Sequence, residues 1–439
     1  MRLGRPLLGI GVLLAVAASL AVWGRAPRQG RPNVILISID ALRPDHLGAY
    51  GYHRDLSPQL DSLAAQGTRF ADAISQATWT LPSVTSLFLS QYVSTHGVEA
   101  ADARIPGEAQ TLAEVLRAHG YATAAFVIGV YTSWDFGMDQ GFTHFVGDAG
   151  RAEQRVALMR QWIEGRDQAK PFFLYAHFID VHHPYRSRNP YGEQYGVGYR
   201  GFVNGTEPLG KIAAKLAPDD LQHLIDLYDN GVAHADFHVG RFLSWLRDAG
   251  LDAATLVILT ADHGEAFLEH RNMLGHRGWP YEELIRVPLL MRGPGIPAGR
   301  VVSTPVEQID LAPTILDFCA IEPGPTMQGR SLRPLLQRAG AHKPYTYSEF
   351  LPYQLKAIRS DAWKLIADHK TGAHELFDLR ADGAERRNLA AERPEVVQEL
   401  LTQLSSFATA NLAWNRRPET AEVQPATREQ LRALGYLDE

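Results

Sequence analysis

Residues 33–40 read NVILISID, an aliphatic and β-branched run closed by an acid. A strand with one wet face alternates apolar and polar residues, because successive side chains point to opposite faces. Here Val34, Ile35, Leu36 and Ile37 are all apolar. Such a run predicts a strand covered on both faces, as in a parallel sheet. Asp40 would then stand where the strand leaves the core.

Working outward, the same grammar repeats. SPQLDSLAAQGTRF (57–70) predicts a helix with Ser57 as its cap, Pro58 in the first turn and Gly67 ending it. TLAEVLRAHG followed by YATAAFVIG is a second helix–glycine–strand unit. In VALMRQWIEGRDQAKPFFLYAHFID a helix feeds a strand over 172–179, and HVGRFLSWLRDAGLDAATLVILTADHGE ends in a strand over 255–261. Strands alternating with helices predict a doubly wound α/β sheet. Acids and histidines follow the strand ends: Asp40, Asp180 with His182, and Asp262 with His263. Ligands in open α/β sheets bind beyond the carboxyl ends of the strands, so these clusters are expected to converge.

Past residue 335 the texture changes. PYTYSEF, LKAIRS, AWKLIAD and HELFDL are short runs separated by turns, predicting a small antiparallel sheet, with a helix over 394–409. Residues 186–218, rich in Gly, Tyr, Asn and Pro, read as a long loop and a candidate lid. There is no internal repeat and no low-complexity segment.

Bulk properties bound the function. A chain of 439 residues buries a large core and predicts two or three structural units. A net charge of −6 argues against a general nucleic-acid binder. The 17 histidines, several beside Asp or Gly, point to metal or acid–base chemistry. The single cysteine, Cys319, makes no intramolecular disulfide and reads as a buried structural thiol. Near the start, Arg2 and Arg5 precede PLLGIGVLLAVAASLAVWG, a run of signal-peptide or short-anchor type. Residues 1–24 are therefore expected to act as an export signal or a membrane anchor through 6–24, with 25–32 as a linker.

Each candidate residue also has a plain structural reading. A lone Asp40 is a helix cap or a surface acid. His182 in DVHHPY and His276 in LGHRGWPY are satisfied loop histidines when taken singly. TADHGE (260–265) says more: adjacent Asp262 and His263 after a buried strand, with Gly264 permitting a sharp turn, can present oxygen and nitrogen to one metal. Thr80 in TWTLPS suits an N-cap, with Pro82 in the first helical turn. The same geometry suits chemistry, because backbone N–H groups and the dipole at a helix N-terminus favour an anion. A threonine hydroxyl is a poor nucleophile until a cation lowers its pKa.

Read together, the segments resemble the sulfatase family of the alkaline phosphatase superfamily across residues 32–390. The matching pieces occur in the family's order: NVILISIDALRPDHLGAYGY, LDSLAAQGTRFADA, TLPSVTSLFLSQYVSTHG, HFIDVHHPY, LTADHGE, YEELIRVPLLMRGPG, IDLAPTILD and HELFDLRADGAERRNLA. The resemblance implies a large mixed sheet sandwiched by helices, with a small C-terminal antiparallel-sheet subdomain. The expected division is 33–335 for the catalytic domain and 336–439 for the small α+β subdomain.

Two departures shape the expected chemistry. Sulfatases carry Cys or Ser, any residue, Pro, Ser or Ala, then Arg, and oxidise the first residue to formylglycine; this chain has Thr80-Leu81-Pro82-Ser83-Val84. Ala41 also replaces the second member of the N-terminal acid pair. The resemblance then shifts to the superfamily's threonine branch, with phosphodiesterases, lipoteichoic acid synthases and phosphoethanolamine transferases. Carried over by motif, Asp40, Thr80, Asp262 and His263 hold one divalent metal. A calcium site wants six or more oxygens, so zinc or manganese is favoured, with calcium and magnesium open. Thr80 becomes the nucleophile, and His182 and His276 handle an anionic oxygen or the leaving group.

The expected function is an exported, periplasmic or extracellular hydrolase or transferase, anchored or secreted, acting on phosphate mono- or diesters of a small molecule, lipid or glycan. Two alternatives are a sulfuric ester hydrolase using an unmodified hydroxyl and a non-catalytic member binding a glycan or lipid headgroup. Substrate, oligomeric state and the choice between hydrolysis and transfer carry no sequence signature.

Overall fold

The computed structural model describes residues 30–185, 194–338, 342–412 and 417–433. The expected signal or anchor at 1–24, most of the linker and residues 186–193 of the candidate lid lie outside these. Among the described residues no helix is long and apolar enough to cross a membrane.

Nine strands form the main sheet: β1 (Asn33–Ile39), β2 (Thr68–Ile74), β3 (Ala122–Phe126), β4 (His144–Val146), β5 (Phe172–Phe178), β6 (Thr255–Thr260), β7 (Arg286–Arg292), β8 (Arg300–Val302) and β9 (Val306–Glu307). Their order is β8-β2-β7-β6-β1-β5-β3-β4, with β9 also paired to β2. β1 lies parallel between β5 and β6, and Val34 to Ile37 are fully buried, as the unbroken apolar run predicts. The sheet is mixed because β7 runs antiparallel to both β2 and β6.

Helices α1 (Pro58–Gln66), α2 (Thr80–Leu89), α3 (Leu112–Ala118), α4 (Ala152–Gly165), α5 (Pro218–Asp248) and α6 (Leu311–Phe318) cover the sheet. α5 packs against α1 and α4, while α2 packs against α3 and α6. α3 starts with a reciprocal capping box, Thr111 with Glu114. α1 starts differently from the expectation. Ser57 precedes it but makes no side-chain cap; the free N–H groups of Gln59 and Leu60 donate instead to Asp236 of α5, Leu60 at 2.8 Å. A distant carboxylate thus does the work that a local hydroxyl was expected to do.

The small sheet is antiparallel, β10 (Thr346–Phe350), β11 (Leu355–Arg359), β12 (Trp363–Asp368) and β13 (His374–Asp378), and α7 (Pro394–Leu412) packs on β12. Lys364 on β12 is buried between Glu282 at 3.1 Å and Glu385 at 2.8 Å. Pro32–Glu439 form one compact unit. Cys319 is a buried thiol outside any disulfide.

Candidate active site

The register of β1 levels three strand ends. Ile39 lies opposite Phe178 of β5, and Ser38 opposite Thr260 of β6. Asp40 N donates to Phe178 O at 2.7 Å, extending the ladder by one residue. The chain then delivers Asp40, His182, and Asp262 with His263 to the same edge, whereas the expected convergence of Asp180 is corrected: its carboxylate pairs with Arg155 at 3.4 Å and His234 at 3.1 Å.

Asp40, Asp262 and His263 come together as one buried group, each offering a ligand atom within 4.8 Å of the others. His263 Nε2 lies 3.4 Å from Asp40 Oδ1 and 3.5 Å from Asp262 Oδ2. His263 Nδ1 is 2.8 Å from Gly264 O. A carbonyl only accepts, so Nδ1 carries the proton and Nε2 faces the carboxylates. The 262–264 turn is held tightly. Asp262 O accepts from Ser75 Oγ at 2.6 Å and from Ser83 Oγ, and Gly264 N donates to Leu284 O. A Cβ at Gly264 would meet Glu283 O at 2.0 Å, so this glycine serves a close backbone approach.

Thr80 completes the group. It is the first residue of α2, and the extended Trp79 is the N-cap, without a side-chain capping bond. The capping reading of Thr80 is therefore corrected: its hydroxyl points out of the helix start and lies 3.3 Å from His263 Nε2. Thr80 and Asp40 are both buried.

Burial opposes charge on Asp40, yet the imidazoles of His182, His177 and His263 outweigh it and hold the carboxyl well below its usual range. Burial also opposes charge on His263, and Asp262 with Asp40 outweighs it, moving this imidazole upward. Asp40 Oδ1 and Asp262 Oδ2 are buried without a hydrogen-bond donor. Two buried carboxylates facing each other call for a cation between them. With the nitrogen of His263 and the oxygen of Thr80, the donor set fits a divalent metal of borderline softness.

His182 and His276 join the same cluster. Their ring centres are 4.8 Å apart, and His276 lies 4.5 Å from His263. His276 Nδ1 is 3.3 Å from the buried Glu265 carboxylate. Burial lowers the His276 pKa, and Glu265 offsets this only in part. His182 Nδ1 faces His183 O, leaving its Nε2 toward the cluster.

Three contributors escaped sequence reasoning. His177, on β5, places Nε2 3.2 Å from Asp40 Oδ2, while Tyr175 OH meets its Nδ1 at 2.9 Å. Its signal was a lone imidazole within an apolar strand. Glu265 stood in the quoted TADHGE without a role. Trp79, fully buried, flanks Thr80.

Comparisons with known proteins identify the family. The Sulfatase family model matches residues 32–321, and a model described as N-sulphoglucosamine sulphohydrolase, C-terminal, matches 269–410. Arylsulfatase K of Mus musculus is 27% identical over 90% of this chain and 84% of its own length. The Homo sapiens protein of that name is 26% identical, covering 91% and 87%. Among solved structures, the phosphonate monoester hydrolase of Agrobacterium radiobacter superposes with a TM-score of 0.74 at 21% identity, covering 90% of this chain and 99% of that one. A 2-O GAG sulfatase gives 0.72 at 22%, covering 91% and 96%. At such identities the superpositions speak for the fold alone. The family match spans every strand end that builds the cluster, and with it this chain belongs to the sulfatase family as an ester hydrolase.

Proposed function

We propose that the chain is a metal-dependent hydrolase or transferase of phosphate mono- or diesters, with Thr80 as nucleophile. The observation that carries this reading is the Thr80 hydroxyl, 3.3 Å from His263 Nε2 and beside two buried carboxylates at a helix start. Asp40, Thr80, Asp262 and His263 would hold the metal, with zinc or manganese favoured by the mixed donor set. Such an ion supplies positive charge that lowers the pKa of a hydroxyl and offsets charge on phosphoryl oxygens.

Thr80 Oγ, once deprotonated, attacks phosphorus, and the bond to the leaving alcohol breaks. The backbone N–H groups of Thr80 and Leu81, the first two of α2, would help to offset the charge that develops. His276 or His182 gives the departing oxygen its proton. Glu265 holds Nδ1 of His276, which aims Nε2 as the transferring end. A protonated His276 releases its proton readily, because burial disfavours the charged ring. Water, or an acceptor alcohol, then displaces Thr80 from the phosphoryl group and restores its hydroxyl.

Sulfuric ester hydrolysis is the second reading, favoured by the relatives named arylsulfatase K. Thr80 in place of an oxidisable Cys or Ser, and Val84 in place of Arg, weigh against it. The N-terminal apolar run supports export. Phosphate and sulfate esters assayed side by side, with added zinc, manganese, calcium or magnesium, test the proposal. Turnover of phosphate esters supports it, and a clear sulfate preference overturns it.

A further inference from the structure

His276 follows a hairpin too short to hold itself. Ala266 pairs with Gly275 and Phe267 with Leu274, a ladder of two antiparallel rungs. Glu265 precedes Ala266 and His276 follows Gly275, so the Glu265–His276 pair sits one step beyond that ladder. The turn at the other end passes through Leu268, Arg271 and Asn272, all left-handed, with φ 68°, 50° and 50°. That conformation is costly for a residue with a Cβ, and an isolated two-stranded ribbon is at best marginal in water. The aim of His276 must therefore be held from outside the ladder. On the main-sheet side, Arg43 pairs with Glu269.

The other hold is Arg271. Its guanidinium carbon lies 3.4 Å from the centre of the Trp279 ring, and its Nε donates to Tyr281 OH at 2.9 Å. Arg271 precedes His276 while Trp279 and Tyr281 follow it, so one side chain closes the 271–281 segment around the histidine. The clasp ends on the small sheet. Glu375 of β13 accepts from Tyr281 OH at 2.6 Å through Oε2 and from Arg271 Nη2 through Oε1. Burial and Glu375 push the Tyr281 pKa up, so the phenol keeps the proton it donates. The Tyr281 ring is buried with Ala357, Ile366 and Phe377 of the small sheet. A second tie runs beside the first. His270 stacks on Tyr281 with ring centres 4.0 Å apart, its Nε2 donates to Glu385 O at 3.0 Å, and its Nδ1 is 2.8 Å from Glu283 Oε1.

We propose that Arg271 and Glu375 are positioning residues for His276, and that the small C-terminal sheet thereby takes part in protonating the leaving group. This deepens the reading of His276 as the acid and rests on it. The Arg271 side chain is 44% exposed and that of Glu375 17%, and an ion pair so close to water adds little to stability. Its value is geometric. An acid must lie within hydrogen-bond reach of the departing oxygen, and a displacement of about 1 Å costs rate. A leaving group that departs without a proton does not sense that displacement.

The test is steady-state kinetics of the metal-loaded chain on an alkyl phosphate and a nitrophenyl phosphate. Glu375→Ala is expected to lower kcat about 10- to 100-fold with the alkyl ester, leave its KM unchanged, and change nitrophenyl turnover less than about threefold. Glu375→Gln, which keeps one acceptor, should recover part of the loss. Added to His276→Ala, Glu375→Ala should cost nothing further, because residues that act as one unit are not additive. An equal loss on both esters, or a full further loss in the His276→Ala background, overturns the proposal. If Glu375→Ala folds poorly, Arg271→Gln, at the more exposed end of the clasp, decides by the same two readouts. A His276→Ala loss that ignores the leaving group overturns the acid reading and this proposal with it. A His276→Ala loss confined to the alkyl ester, beside an unaffected Glu375→Ala, overturns this proposal alone.

Discussion

The hydroxyl of Thr80 lies 3.3 Å from Nε2 of His263, across 183 residues of sequence. Local physics makes Thr80 a helix start. Only the partner at 263, itself aimed by the carbonyl of Gly264, turns the hydroxyl toward a pair of buried carboxylates.

That geometry predicts a covalent step. Thr80→Ala should lower kcat about a thousandfold or more, the scale on which removing an activated nucleophile acts. Thr80→Ser should keep part of the activity. Acid quenching during turnover of a phosphate ester, followed by peptide mass spectrometry, should find phosphothreonine at position 80. Full activity in Thr80→Ala would sink the mechanism.

His177 orients Asp40 from behind, as outer partners orient metal ligands. His177→Ala should weaken metal affinity about 10- to 100-fold, measured by competition with a chromophoric chelator. His177→Gln, which still offers a donor, should recover part of the loss. An unchanged affinity in the alanine variant would show that Asp40 is held without it.

Leaving-group chemistry separates the histidines. If His276 protonates the departing alcohol, His276→Ala should cost about 10²- to 10⁴-fold with alkyl esters and much less with nitrophenyl esters. Glu265→Gln should follow the same pattern more weakly, because Glu265 touches only Nδ1. A loss independent of the leaving group assigns the proton to His182.

Stability should depend on pH through Asp236, which accepts from the start of α1. Burial raises its folded pKa from 3.8 to about 7. A raised carboxyl pKa means that the folded state holds its proton more tightly than the unfolded chain does. Stability from this group is therefore full below about pH 4, falls as the pH rises toward 7, and stays low above it. Asp236→Asn keeps an acceptor and cannot ionise. Relative to wild type, its melting temperature should improve by a few degrees on going from pH 4 to pH 8, on the order of 2–4 °C for each kcal/mol. A difference that does not move with pH would show that the carboxylate is ionised throughout.

Much of the frame was legible in the residues. NVILISID marked a strand buried on both faces; of the acids after three such strands, Asp40 and Asp262 meet, while Asp180 pairs with Arg155 and His234 instead. The four short runs after residue 335 became the four strands of the small sheet. Ser57 misled because a side chain from α5 competes for the same N–H groups. His177 was hidden because a strand histidine shows its purpose only when a neighbouring strand supplies Asp40.

Periodicity and turn chemistry are short-range, so the sequence by itself determined the strands, the helices and which strand ends carry acids or histidines. Convergence is long-range. Asp40 meets His177 across 137 residues and Thr80 meets His263 across 183, and these distances depend on strand order and register. Only the tertiary structure decided that Thr80 is the first helical residue and not a cap, and that Glu265 backs His276. The physical reason is that buried carboxylates and imidazoles acquire direction and charge from partners that no local stretch of chain contains.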